Sequence, residues 1–144
     1  MPANDAPTVN PASLGLVGFG LTTVLLSLIN AGVLPGGGEP VVIPLAMAFG
    51  GTIQIIAGLL EVRLGNTFGM TAFLSYGAFW WWFALLLIFG GNHVLDLSGA
   101  GTTIGAALLL WGVFTLYMWV STFVLSRLLL LVFGIARLLR RIVW

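Results

Sequence analysis

The sequence predicts an all-α polytopic membrane protein, and three observations carry that reading. Hydrophobic residues make up 60% of the 144 positions and charged residues 6%, whereas a soluble domain usually carries about a quarter charged residues. Four apolar runs are each long enough to cross a bilayer, which takes about 20 helical residues. Turn-forming stretches separate the runs. Barrel strands need about 10 residues of alternating polarity, and these runs are too long and too uniformly apolar for that.

The first run covers residues 14–34, after a polar segment 1–13. Asn10 is placed to cap this helix, with Pro11 at the first helical position, where a missing N–H costs nothing. The second run covers 41–60 and follows the turn Pro35-Gly36-Gly37-Gly38-Glu39-Pro40. The third covers 68–89, after Glu61-Val62-Arg63-Leu64-Gly65-Asn66. The fourth covers 101–125, after a stretch holding His93 and Asp96. Short connections make successive helices antiparallel neighbours, in one transmembrane unit over 14–127. An apolar run then begins at Leu128, but Arg137 interrupts it and Arg140 and Arg141 follow. Arginine at a bilayer centre costs about 2.5–3.5 kcal/mol. The stretch 128–144 therefore reads as a partial fifth helix, half-inserted or lying on the membrane surface with its arginines at the headgroups.

Charge gives an orientation. The N-terminus, Arg63 and Arg127 share one side, and Glu39, His93 and Asp96 the other. The positive-inside bias places the first side in the cytoplasm. A faint echo of Leu14-x-Leu16-x-Gly18 in Leu108-x-Leu110-x-Gly112 hints at an inverted repeat in which each copy opens an apolar helix.

Several function classes are excluded or unsupported. No cysteine is present, which removes disulfides, thiol nucleophiles and Cys-bound metals. The net charge of +1 supports no nucleic-acid partner. Residues 1–10 lack a basic start, so they do not read as a secretory signal. No nucleophile, acid and base stand together, no enzyme is expected, and no cofactor or metal site is visible. The single histidine reads as a solvated loop residue.

The polar residues inside the runs are the informative ones. Thr22, Thr23 and Asn30 lie in the first, and Gln54 in the second with Glu61 at its end. Thr71, Ser75 and Tyr76 lie in the third, and Thr115, Tyr117, Ser121 and Thr122 in the fourth. A buried amide needs a partner or water, so Gln54 is expected to face other helices or an aqueous path. No ionisable side chain except tyrosine sits mid-span. That suits a narrow path lined by hydroxyls, amides and aromatic rings, not a buried carboxylate relay. Asn10, Thr22, Gln54, Glu61, Asn66, Thr67, Ser75 and Thr115 are the candidate path-lining residues. Gly15, Gly18, Gly20, Gly50, Gly51, Gly58, Gly101 and Gly105 read as small-residue packing faces. The run Phe79-Trp80-Trp81-Trp82-Phe83 reads first as a membrane-interface anchor, then as an oligomer contact.

Four ordered stretches carry a resemblance. They are Asn10-Pro11-Ala12-Ser13-Leu14-Gly15-Leu16-Val17-Gly18-Phe19-Gly20-Leu21-Thr22-Thr23, then Gly50 to Glu61, then Gly65 to Gly69 with Thr71 to Trp80, then Leu110-Trp111-Gly112-Val113-Phe114-Thr115-Leu116. Over roughly Asn10 to Phe133 they resemble the acetate uptake transporter family, the succinate–acetate permease group. Ser13 stands where the usual signature has a second proline. The resemblance implies six helices per subunit, a hexamer, plasma-membrane location, and one path per subunit for acetate or succinate, often proton-coupled. It also implies that Phe19 and Tyr76 form a constriction whose third residue, near Ala136, stays unassigned. The basic tail departs from the family, so the chain reads as a truncated form of the six-helix fold. The alternative function is a transport-inactive member, or a membrane subunit acting only with full-length relatives.

Overall fold

A computed structural model describes residues 9–125. The stretch 128–144 and Arg127 lie outside the described residues. Helix α1 is Ala12–Asn30, α2 is Glu39–Leu45, a π-helical segment Ala46–Ile53 follows, and α3 is Gln54–Arg63. Helix α4 is Thr67–Gly91 and α5 is Gly101–Leu125. Glu39–Arg63 is one continuous helical rod of 25 residues, so four rods are long and apolar enough to span. At 1.5 Å per residue, 19 residues give about 28 Å and 25 give about 38 Å, against a hydrocarbon core near 30 Å. The chain is a multi-pass membrane protein.

Each boundary has a local cause. The Asn10 side chain accepts a hydrogen bond from the Ala12 N–H at 3.0 Å, and Pro11 already has helical dihedrals. The structure thus sets Pro11 itself at the cap position, one residue beyond the expected Asn10, and the helix opens at Ala12, two residues earlier than residue 14. Glu39 and Pro40 belong to the first turn of α2 and not to the preceding loop. Proline suits that turn, and an acidic side chain suits the positive end of a helix dipole. Gly65 turns the chain between α3 and α4 with φ +67. Asn66 then caps α4, its side-chain oxygen accepting from the Gly69 N–H at 3.1 Å.

The π segment went unforeseen. Pro44 lies inside α2 and cannot donate to the turn before it. The ladder widens just beyond it, and the Thr52 hydroxyl donates five residues back to the Met47 carbonyl at 2.8 Å.

The first three rods pack together, successive ones antiparallel. Along α3 and α4, Glu61 lies against Gly69, Gly58 against Leu74, and Ile55 and the Gly51 carbonyl against Gly77. A Cβ on Gly50 would sit 2.6 Å from the Trp80 ring, and one on Gly51 2.5 Å from that of Trp81. Helix α1 closes on the same pair, with Gly15 against Phe73 and Gly18 against the Phe49 carbonyl. Five of the eight expected packing glycines therefore make close contacts. Gly20, Gly101 and Gly105 face open space.

Two other expectations are corrected. Leu108 is the eighth residue of α5 whereas Leu14 is the third of α1, so the echoed motif does not open both helices. The run 79–83 lies at the middle of α4, and Trp80 is buried against the π segment. Where an interface anchor was expected, Trp80 and Trp81 fill the space left by Gly50 and Gly51 and so pack between helices.

Candidate functional site

Helix α5 stands away from the other three rods. It touches α4 through large rings: Trp111 lies 4.8 Å from Phe79 and 5.9 Å from Tyr76, and Phe114 lies 5.7 Å from Tyr76, centroid to centroid. A cavity of about 940 Å³ opens between α1, α2, α4 and α5. Its mouth lies at the end that carries Asn30, Glu39, Gly90 and Leu97. Its deep end is formed by Phe19, Tyr76 and Thr115.

Those three residues meet. The Phe19 and Tyr76 rings pack edge to face at 5.2 Å. The Tyr76 hydroxyl donates to Thr115 Oγ1 at 2.8 Å, and Thr115 donates in turn to the Trp111 carbonyl at 2.8 Å. Tyr76 and Thr115 are both buried, and Met118 and Ala72 pack beside them. The hydroxyl pair ties α4 to α5 at the level where Phe19 of α1 reaches across.

The cavity wall is mostly apolar. Its polar groups include Thr23, Ser27 and Asn30 of α1, spaced so that one helix face presents all three. Among the described residues the lining holds no Lys, Arg or His, and Glu39 at the mouth is its one carboxylate. The site therefore offers a small solute weak polar contacts and no fixed positive charge.

Of the expected path residues, Phe19, Tyr76 and Thr115 are brought together here. Gln54 is buried, but both its amide atoms lack partners, and it packs against Gly18 away from the cavity. Thr22 is buried beside Gly50, donating to the Gly18 carbonyl at 3.0 Å. Glu61 is buried near the C-terminal end of α3, and one of its oxygens accepts from the Asn66 amide at 2.7 Å. Asn10 accepts from the Ala12 N–H at the start of α1, while Thr67 opens α4 and accepts from Thr71 through its carbonyl. Ser75 is half-buried on α4. None of these seven lines the cavity. The residues missed were Ser27 and Glu39, together with Thr23 and Asn30, noted as polar but not placed on a path. Their signal was available: Thr23, Ser27 and Asn30 recur at i, i+4 and i+7.

The chain is thus a membrane-embedded helical bundle with an apolar cavity that ends at an aromatic pair. The chain belongs to the GPR1/FUN34/yaaH family, which matches residues 1–139. That match runs past Phe133, where the resemblance was expected to stop. The chain is 46% identical over 124 residues to the succinate-acetate/proton symporter SatP of Escherichia coli, covering 86% of this chain and 64% of that one. It is 43% identical over 126 residues to an uncharacterized protein of Methanothermobacter thermautotrophicus, covering 83% and 61% respectively. The solved structure of the bacterial acetate channel SatP superposes with a TM-score of 0.77 at 41% identity, over 92% of this chain and 74% of that one. The chain thus spans less than two thirds of the length of these two curated relatives.

Proposed function

We propose that this protein conducts small carboxylic solutes, acetate foremost and succinate in second place, across the plasma membrane in a proton-coupled manner. The observation that carries the reading is the apolar cavity ending at the Phe19–Tyr76–Thr115 closure. It has room for a solute of a few heavy atoms, and its rings bar water and ions from passing freely. The symporter and channel names of the relatives support the substrate class. The N-terminus and the Arg63 loop lie on the cytoplasmic side, so the cavity mouth faces outward. The working form is a homo-oligomer, for which family resemblance suggests a hexamer.

A second reading has one observation in its favour. Leu109, Leu110, Val113 and Tyr117 of α5 are all more than half exposed, so this wall of the cavity offers a face for further helices. In that reading the chain conducts only in assembly with longer relatives. Labelled acetate uptake into liposomes holding the purified chain decides between the two. Saturable uptake above protein-free liposomes supports conduction by this chain. Uptake that emerges only on co-reconstitution with a full-length relative supports the second reading, and no uptake in either case overturns the first.

A further inference from the structure

We propose that the π-helical segment Ala46–Ile53 is a hinge and that α2 is a lid which it swings over the cavity mouth. This gate is separate from the Phe19–Tyr76–Thr115 closure. That α2 controls solute entry rests on the reading of the cavity as a path, whereas its motion does not.

Sharp helix bends arise at proline, at glycine pairs and at π turns. The second rod brings all three together. Pro44 has no N–H to give the Pro40 carbonyl, and its ring crowds that oxygen. The π ladder begins at Ala46, with the Thr52 hydroxyl bonded to the Met47 carbonyl, and it contains Gly50 and Gly51. Among the described residues no other rod has a proline inside it or a π turn.

The two halves of this rod are held differently. Helix α4 grips α3 along its length, through Ile55 on Gly77, Leu74 on Gly58 and Glu61 on Gly69. Helix α2 meets its neighbours through aliphatic side chains, chiefly Val42 in the cluster of Ile29 and Ala84. Glu39 is its one polar side chain, and Val41 is exposed. At its other end lies Gly36-Gly37-Gly38, where Gly37 has φ +92 and Gly36 and Gly37 meet nothing within 4 Å. So α2 is a short stiff piece between two pivots.

The hinge also borders an unsatisfied group. The five-membered ring of Trp80 lies on Gly50, and its buried N–H has no partner. A buried donor left unpaired costs about 1–3 kcal/mol. Converting a π turn to an α turn changes which carbonyls face this ring, so a second arrangement of the segment can recover the bond.

Glu39 and Val42 line the mouth, with Leu97 and Ile104 on the α5 side. Helix α2 has seven residues. A change of about 20° in the bend moves the far end of a piece about 10 Å long by about 4 Å. A swing towards α5 narrows the mouth, and a swing away widens it.

The test uses the purified full chain in liposomes, diluted with unlabelled chain. No cysteine is present, so spin labels attach only where one is introduced. Val41→Cys with Leu110→Cys reports α2 against α5. Leu59→Cys with Leu110→Cys shares the α5 label and reports α3 instead. All three positions are exposed. The Val41–Leu110 distances should fall in two populations about 4 Å apart, and the Leu59–Leu110 distances in one. Pro44→Ala restores the missing N–H, so it should merge the two populations and slow acetate uptake several-fold. A Val41–Leu110 distribution no broader than the control would overturn the hinge, and this comparison stands whether or not the variant folds. Two populations that Pro44→Ala leaves unchanged would also overturn it. Merged populations with uptake equal to wild type would overturn the lid. Two populations in a chain that takes up no acetate would uphold the hinge and remove the conduction reading.

Discussion

The two faces of α4 are built on opposite plans. Towards α3 and the π segment it meets glycine after glycine, with backbone and ring atoms at contact distance. Towards α5 it meets another helix mainly through rings, one hydroxyl pair and the packing of Met118 on Ala72 and Tyr76, with a cavity beside them. Lipid supplies no hydrophobic drive between helices, so close packing by small residues is what holds the first face together. The second face gives up that packing and borders a cavity. One helix is thus a tightly packed wall on one side and a cavity wall on the other.

The contrast can be broken most strongly at Gly77. A Cβ there would lie 2.9 Å from the Gly51 carbonyl and 2.7 Å from the Ile55 side chain. Gly77→Ala should cost about 1–3 kcal/mol by overpacking, seen as a lower Tm of the detergent-purified protein. Gly105→Ala, on the cavity side with nothing within 4 Å, should leave Tm unchanged. Equal losses at both positions would show that the two faces are not packed differently.

A smaller effect is expected where the tight face meets the α3–α4 turn. Asn66 both caps α4 and donates to the buried Glu61 carboxyl. Asn66→Ala should cost about 1–2 kcal/mol through loss of the cap and of that donor. Asn66→Ser keeps a capping oxygen, so its loss of Tm should be smaller than that of Asn66→Ala. Equal losses in the two variants would show that the cap contributes nothing.

The smallest effect lies in the α4–α5 loop, outside both faces. Hydrogen bonds from the Ser98 backbone N–H and side chain hold the exposed Asp96 carboxyl below the usual aspartate range. A lowered value in the folded state means the stabilising contribution is complete above the ordinary aspartate range. It is lost as pH falls through the lowered one. NMR titration of the Asp96 carboxyl carbon should show this, and Ser98→Ala should move the midpoint part of the way back up. An unchanged midpoint in Ser98→Ala would assign the whole shift to the backbone N–H.

The tight face was more legible in the sequence than the open one. Apolar run length located all four rods, and α5 opens at Gly101 as read. Gly15, Gly18 and Thr22 lie at i, i+3 and i+7, so they share one face of α1. That face packs, which is why Thr22 is buried in the wall while its neighbour Thr23, turned by about 100°, lines the cavity. Residue type alone could not separate the two. The π segment was not legible because a period-based reading does not register one widened turn, although Pro44 and Gly50-Gly51 mark the place. Glu39 was read as a loop residue because glycines precede it and proline follows, yet proline opens helices as readily as it ends them. The pairing of Tyr76 with Thr115 joins residues 39 apart, and no local pattern encodes it. Phe19 and Tyr76 came from the family signature and not from spacing.

The central claim is that the open face of α4 is a solute path closed by the Phe19–Tyr76–Thr115 cluster. Tyr76→Ala tests it most directly, since it removes the ring that packs on Phe19 and the hydroxyl that ties α4 to α5. Acetate uptake by liposomes holding wild-type or Tyr76→Ala protein, at matched protein levels and above protein-free background, should be faster and less saturable in the variant. Equal uptake by the two, with the variant folded by its Tm, would contradict the account.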